Sequence, residues 1–234
     1  MSERSPGPTP TRKRRLMRGA SVMAALVALT STALPGGAAA QSQESPSAAP
    51  AETPGQQASP SAADEPLVCQ RLTDFTADDT GQWFVVNDGV MGGRSAGGGF
   101  IDDSVLRFEG SVVTAGGGFT SARLGLDGGE LAGSSRIEMR VRPDGRTYGV
   151  TLEDATEYRG RLVSHRADFD IGPVDSEGWA IATVDYDQLV PSVFGLLVDA
   201  PPFDPATARE FGIIIADGID GDFVLDVDWI DACP

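Results

Sequence analysis

The chain has 234 residues, 41% hydrophobic and 7% aromatic, with 18 basic and 34 acidic side chains and one His. That length holds one domain of ordinary size, or two small ones. Six basic residues and one acid fall within positions 1–40, leaving 12 basic against 33 acidic beyond them, a balance of −21. Nucleic acid and anionic lipid are held by clustered cations, so a body this acidic excludes both as partners.

In chain order, the first feature is an address. Positions 12–18 read Arg-Lys-Arg-Arg-Leu-Met-Arg, an Ala/Val/Leu/Met run follows from Ala20 to Leu34, and Ala38-Ala39-Ala40 closes the segment. A cationic head, a short apolar stretch and an A-x-A ending describe a signal peptide occupying 1–40 and cleaved after Ala40. The apolar run is shorter than the roughly 20 residues a membrane helix needs, so no membrane span is expected after cleavage. Arg14-Arg15 leaves the general and the twin-arginine export routes both open. Either route makes the mature protein periplasmic or extracellular. Residues 41–65 hold Gln, Ser, Pro, Ala, Glu and Thr without one Leu, Ile, Val, Phe, Trp or Tyr. With no apolar area to offset its ordering entropy, this stretch is expected to be a disordered linker.

Residues 66–234 read as a single all-β domain. Ile137, Met139 and Val141 alternate with charged residues, Pro143-Asp144-Gly145 turns the chain, and Tyr148, Val150 and Leu152 alternate again, which predicts a hairpin. Phe211, Ile213 and Ile215 form the next-to-last strand. In the last, Phe223, Leu225, Val227 and Trp229 share one face, with Asp226 and Asp228 on the other. Further short strands fit 83–86, 105–108, 121–126, 162–169 and 180–184; the one helix candidate is 205–210. Eight or more strands without a sustained helical period predict a jelly-roll β-sandwich of two antiparallel sheets, monomeric by default. Cys69 and Cys233 bracket this domain. The first and last strands of a jelly roll lie side by side, so a Cys69–Cys233 disulfide is expected in an exported chain.

The most informative stretch runs Trp83-Phe84-Val85-Val86-Asn87-Asp88-Gly89-Val90-Met91-Gly92-Gly93-Arg94-Ser95. It resembles the signature of the complex I intermediate-associated protein 30 family, the NADH:ubiquinone oxidoreductase assembly-factor domain. Further pieces follow in order: Phe108-Glu109-Gly110, Gly117 to Arg123, Asp144 to Tyr148, Gly178-Trp179 and Phe223 to Ile230. The resemblance spans about 75–230. It implies a galactose-binding-like jelly roll akin to some carbohydrate-binding modules, without catalytic machinery. In mitochondrial members it also implies a chaperone role in assembling respiratory complex I.

Physically, Asn87-Asp88-Gly89 is a turn tripeptide whose side chains bond nearby amides, and Gly92-Gly93 supply backbone angles closed to other residues. Met91 between glycines reads as a plug in the end of the sandwich. Arg94, Arg123 and Arg146 are the cations of the family-like segments, with Asp88 and Asp144 as natural partners. Together with Asn87, Met91, Ser95 and Tyr148 they form the candidate binding set, either facing a ligand or pinning the loops that carry it.

No enzyme pattern stands out. His165 has no nucleophile and base at useful spacing, and reads as an ordinary strand histidine. One His and two oxidised Cys make no zinc site, and no cofactor is expected. Asp217, Asp220 and Asp222 offer oxygens for calcium, but the spacing is not that of an EF-hand and a charged turn is the simpler reading. Trp83 and Trp229 fall on core-like alternation and Trp179 begins a strand, which leaves Tyr158 and Tyr186 as candidate sugar platforms. The function expected is therefore binding, to a protein client as an assembly factor or, alternatively, to a saccharide in the cell envelope.

Overall fold

The structure is a computed structural model and describes residues 68–76 and 81–234, together with the backbone pair Arg15–Leu16. The leader and linker expected over 1–65 otherwise lie outside the described residues. Among the described residues there are fifteen strands: β1 (Arg15–Leu16), β2 (Gln70–Thr73), β3 (Trp83–Asn87), β4 (Ala96–Asp102), β5 (Val105–Val112), β6 (Thr120–Gly125), β7 (Arg136–Arg142) and β8 (Tyr148–Tyr158). There follow β9 (Arg161–Asp168), β10 (Asp170–Ile171), β11 (Ala180–Asp185), β12 (Val190–Val193), β13 (Leu196–Leu197), β14 (Glu210–Ile215) and β15 (Gly221–Cys233). Every paired neighbour is antiparallel. One sheet has the order β1-β4-β5-β15-β7-β11-β10, with β2 also on β15, and the other β13-β12-β9-β8-β14-β6-β3. This is the β-sandwich expected, and among the described residues no helix is long and apolar enough to cross a membrane.

The period-two patterns are buried as the sequence dictates. Ile137, Met139 and Val141 of β7 face Val150, Leu152, Ile213 and Phe211 from the other sheet's strands, all fully buried in one cluster. Phe108 and Phe223 pack with ring centroids 4.9 Å apart, and Trp83 meets Phe211 edge-on at 6.2 Å.

Four expectations need correction. The segments flanking Pro143-Asp144-Gly145 are not a hairpin: β7 pairs with β15 and β11, whereas β8 pairs with β14 and β9. The turn carries the chain from one sheet to the other, and alternation, which fixes a strand's buried face but not its neighbour, cannot tell the two cases apart. Residues 205–210 form only a 3-10 turn at Pro205–Thr207, capped by the Asp204 side chain accepting from the Ala206 amide, before β14 begins. Trp229 is not in line with Phe223, Leu225 and Val227. The register against β7 shifts between Val227 and Trp229, so Asp228 is an extra residue, and Ile230 and Ala232 resume the inward face. Trp229 instead lies half-buried on the outer side, beneath the Arg71 guanidinium at 4.7 Å. Met91, finally, is 52% exposed and plugs nothing.

The Cys69–Cys233 disulfide is present, with β2 lying antiparallel on the end of β15. His165 on β9 points into the core. Its Nε2 lies 3.2 Å from the Pro201 carbonyl oxygen and its ring packs edge-on to Phe203, a core placement that fits the ordinary reading.

Candidate functional site

The signature segment folds around a buried carboxylate. Asp88 opens a 3-10 turn, Asp88–Met91, that ends at Gly92 with φ +89°, a left-handed angle that favours glycine. The chain then turns back so that Asp88 Oδ1 accepts from the Ser95 amide (2.9 Å), while Oδ2 accepts from the Ser95 hydroxyl (2.6 Å) and the Gly118 amide (2.7 Å). A Cβ on Gly93 or on Gly117 would overlap this carboxylate, which accounts for both glycines. Burial alone would raise the Asp88 pKa, but the Ser95 hydroxyl and the amides of Gly118, Ser95 and Phe119 outweigh it and hold the carboxyl below the ordinary value. Asn87 supports the same loop, its Oδ1 accepting from the Gly97 amide and the Thr120 hydroxyl.

The second family-like segment makes another polar knot. Arg146 donates twice to Asp217 (2.7 and 2.8 Å) and also to the carbonyls of Ile219 and Asp222. Asp144 does not pair with the Arg146 guanidinium. Its Oδ1 accepts from the Arg146 amide, and its Oδ2 from the Tyr148 hydroxyl (3.0 Å) and the Val224 amide (2.7 Å). Tyr148 is fully buried, and burial together with the adjacent Asp144 pushes its hydroxyl pKa up. Asp220 links the two knots by accepting from the Thr114 amide at 2.6 Å. Of the expected partners, Asp88 is satisfied by amides and a hydroxyl rather than by arginine, and Arg94 is exposed. Asp217 and Asp220, raised above as calcium ligands, are engaged by Arg146 and Thr114.

Arg123 stands apart from these knots. On β6 it alternates with the core residues Ala122 and Leu124, so it lies on the outer face of the seven-stranded sheet. Its Nη1 reaches Glu210 at 2.6 Å and Glu153 at 3.4 Å, and its Nε donates to Ser121. Burial first, and then the neighbouring Glu210, push the Glu153 carboxyl above its ordinary range against the pull of Arg123. In register with Arg123 sit Gly212 and then Thr151. A Cβ on Gly212 would stand 2.5 Å from the Thr151 hydroxyl and 3.3 Å from Arg123, so glycine lets the two polar side chains close over the sheet.

Arg123, Thr151 and Glu153 form the floor of a groove of about 600 Å³ whose lining runs from Met91, Gly117 and Phe119 at the signature end to Arg161 and Phe194. Thr151 is only 4% exposed although it faces outward, and its Oγ1 has no hydrogen-bond partner. A buried hydroxyl without a partner is an uncompensated cost, carried here by a residue that lines a ligand-sized space. Phe194, at φ +52° in the turn between β12 and β13, is 64% exposed, and the Arg161 guanidinium lies 4.9 Å from its ring.

Of the residues singled out from sequence, Asn87, Asp88, Ser95, Asp144, Arg146 and Tyr148 come together in loop-stitching contacts, while Met91 and Arg123 reach the groove. Sequence reasoning missed Thr151, Glu153, Glu210, Arg161 and Phe194. The signal available was the polar residue inside an apolar alternation, as at Thr151 between Val150 and Leu152. Tyr186 is no platform: it packs edge-on against Phe203 and its hydroxyl bonds Ser134. Trp179 is nearly buried, with the guanidinium groups of Arg140 and Arg142 over its ring.

The family model Complex I intermediate-associated protein 30 (CIA30) matches residues 73–227. Among solved structures, the chain is similar to the family 11 carbohydrate-binding module of the cellulosomal cellulase Lic26A-Cel5E of Clostridium thermocellum. That match has 11% identity and a TM-score of 0.50, covering 73% of this chain and 97% of the module. The same family's module in complex with a beta-1,3-1,4-mixed-linked tetrasaccharide is matched at 13% identity and a TM-score of 0.49, covering 72% and 96%. No curated protein matches the sequence.

Proposed function

The chain belongs to the complex I intermediate-associated protein 30 family, and we propose that it is a non-catalytic binding domain whose groove on the seven-stranded sheet holds a saccharide outside the cytoplasm. The observation that carries this reading is the groove floor: Arg123 paired with Glu153 beside the unpartnered Thr151 hydroxyl, with Glu210 bound to Arg123 from outside the lining. Sugars present alternating hydroxyls and apolar C–H faces. The floor supplies donors and acceptors in one plane, and Phe194 and Met91 supply apolar rims. A volume of about 600 Å³ suits a ligand of a few rings, within the range of about 300–1,000 Å³ usual for small-molecule sites. The likeness in fold to a named carbohydrate-binding module supports the same reading. The disulfide between Cys69 and Cys233 supports an oxidising compartment.

A second reading, a protein client, draws on one observation. Phe194, Leu196 and Leu197 are 64%, 73% and 77% exposed on adjoining positions of one edge hairpin, an apolar patch of the kind that marks protein contacts. A glycan array followed by calorimetry separates the two, with Thr151→Val as the probe. Removing a hydroxyl that has no protein hydrogen-bond partner leaves the melting temperature unchanged or raised, and weakens saccharide binding. An array without a hit, alongside capture of a defined protein that Leu196→Ser and Leu197→Ser abolish, would decide for the client.

A further inference from the structure

The charges around the groove run against those of the molecule. Beyond residue 40 the sequence has 12 arginines and 33 acids, yet three arginines and one carboxylate line this groove, Arg123, Arg161 and Arg166 against Glu153. Local pairing decides which cation is in surplus. Arg123 is offset by Glu153 and Glu210, and Arg166 by Asp168 at 2.9 Å. Arg161 has no acidic partner among the described residues. Its guanidinium instead lies against the Phe194 ring, and Arg159, two positions back on the same hairpin turn, lies over Tyr158.

A cation–π contact ties up no hydrogen-bond acceptor, so the guanidinium keeps N–H donors with which to grip a carboxylate through two parallel hydrogen bonds. Holding the side chain against an aromatic ring also reduces the entropy lost when that fork closes on a ligand.

We propose that the groove is selective for acidic saccharides bearing uronate carboxylates, with Arg161 as the carboxylate clamp and the Thr151–Arg123–Glu153 floor taking the hydroxyls. The proposal rests on the saccharide reading above and specifies its ligand. The net negative charge of the body does not oppose it. At physiological ionic strength fields decay over about 8 Å, so a bound uronate responds to the arginines within the groove rather than to carboxylates on the far sheet. The acidic surface has a positive consequence as well, because it suppresses indiscriminate adsorption of polyanions and leaves the groove as the place where a uronate is tolerated.

The test is calorimetry and NMR chemical-shift mapping on the full domain with two probes of equal length, an oligogalacturonate and a neutral mixed-linked glucan oligosaccharide, at two ionic strengths. The expected result is preferential binding of the uronate, weakened by salt, with shifts at Thr151, Ser164 and Phe194. Arg161→Gln should weaken it about tenfold, the lower value for loss of a charge-assisted pair at an exposed position. Arg107→Gln, on the other sheet, removes the same net charge and should leave affinity unchanged, which separates a local clamp from total charge. Equal binding of both probes with no effect of Arg161→Gln would overturn the clamp while leaving the saccharide reading standing. Absence of shifts in the groove with either probe would overturn both.

Discussion

Replacing Asp88 by Asn is nearly isosteric and tests whether the signature is held together by a buried anion. The carboxylate accepts three hydrogen bonds, two on Oδ2 and one on Oδ1. An Asn side chain offers one carbonyl oxygen, and its NH2 group must face either the Gly118 amide or the Ser95 amide, donor against donor. One buried backbone N–H loses its acceptor, about 1–3 kcal/mol, and the surviving bonds lose their charge assistance. A total of about 2–3 kcal/mol lowers the melting temperature of a domain this size by about 4–12 °C. Scanning calorimetry on the oxidised protein reads this directly. The gap is also pH-dependent. The folded carboxyl titrates below the ordinary value of 3.8, so its stabilisation is present above that pH and is lost as pH falls through the lower folded value. The difference between wild type and Asp88→Asn therefore shrinks below about pH 4. A variant that melts within about 1 °C of wild type at pH 7 would refute the buried-anion account. A double-mutant cycle sharpens it. The atoms nearest a Cβ on Gly93 are those of the Asp88 carboxylate, so Gly93→Ala should become tolerable in an Asp88→Ala background. Gly117→Ala also meets the Asp88 Cβ, at 2.7 Å, and should not.

Three further outcomes follow. Removing the disulfide by Cys69→Ser with Cys233→Ser frees two positions 164 residues apart, and the chain-entropy model sets an upper loss of about 5 kcal/mol, measurable as a lower denaturation midpoint in urea. Arg146→Lys keeps the charge but cannot reproduce the two-point contact with Asp217 together with the carbonyl contacts. It should cost about 2–4 kcal/mol by thermal melting, and unchanged stability would show that charge alone matters. Arg123→Gln leaves Glu153 and Glu210 without their shared cation and raises the Glu153 pKa further. A carboxyl whose folded pKa is raised favours the fold below its unfolded pKa and loses that advantage as pH rises through the folded value. The variant should be destabilised at pH 7 and recover toward pH 4, read from melting temperature against pH.

Much of the sandwich was legible because burial imposes a period of two: Ile137-Met139-Val141 and Tyr148-Val150-Leu152 announce strands with one core face. What lay hidden was pairing, since no local residue says whether Pro143-Asp144-Gly145 closes a hairpin or crosses between sheets. The strand Ala96–Asp102 was also invisible, because Gly97, Gly98 and Gly99 carry no hydropathy signal; a Cβ on Gly97 would collide with Thr120, so the glycine reflects close packing and not a turn. The bulge at Asp228 misplaced Trp229 for the same reason, as an inserted residue breaks parity without leaving a compositional trace. The groove was the least readable part. Arg123 was visible within a family-like segment, but Thr151, Glu153, Glu210 and Arg161 come from three other strands, and only sheet order brings them together.

The division of labour that results is a physical one. Asp88, Asp220, Asp144 and the Arg146–Asp217 pair tie together the loops around 88–95, 113–118, 143–147 and 217–222, which carry the chain between sheets or lie beside such crossings. Such crossings have no ladder bonds of their own, so side-chain carboxylates must satisfy the amides there, and any change in them is felt in stability. The groove floor lies instead on inner strands that are paired on both sides. Apart from Arg123, which neutralises Glu153 and Glu210, its side chains contribute little to holding the sheet, and Thr151 carries an unmet hydroxyl. On the reading proposed for the groove, a substitution at Thr151 or Arg161 acts on binding with the fold intact, whereas one at Asp88 or Arg146 acts on it only by loosening the loops that present Met91 and Phe119 to the groove.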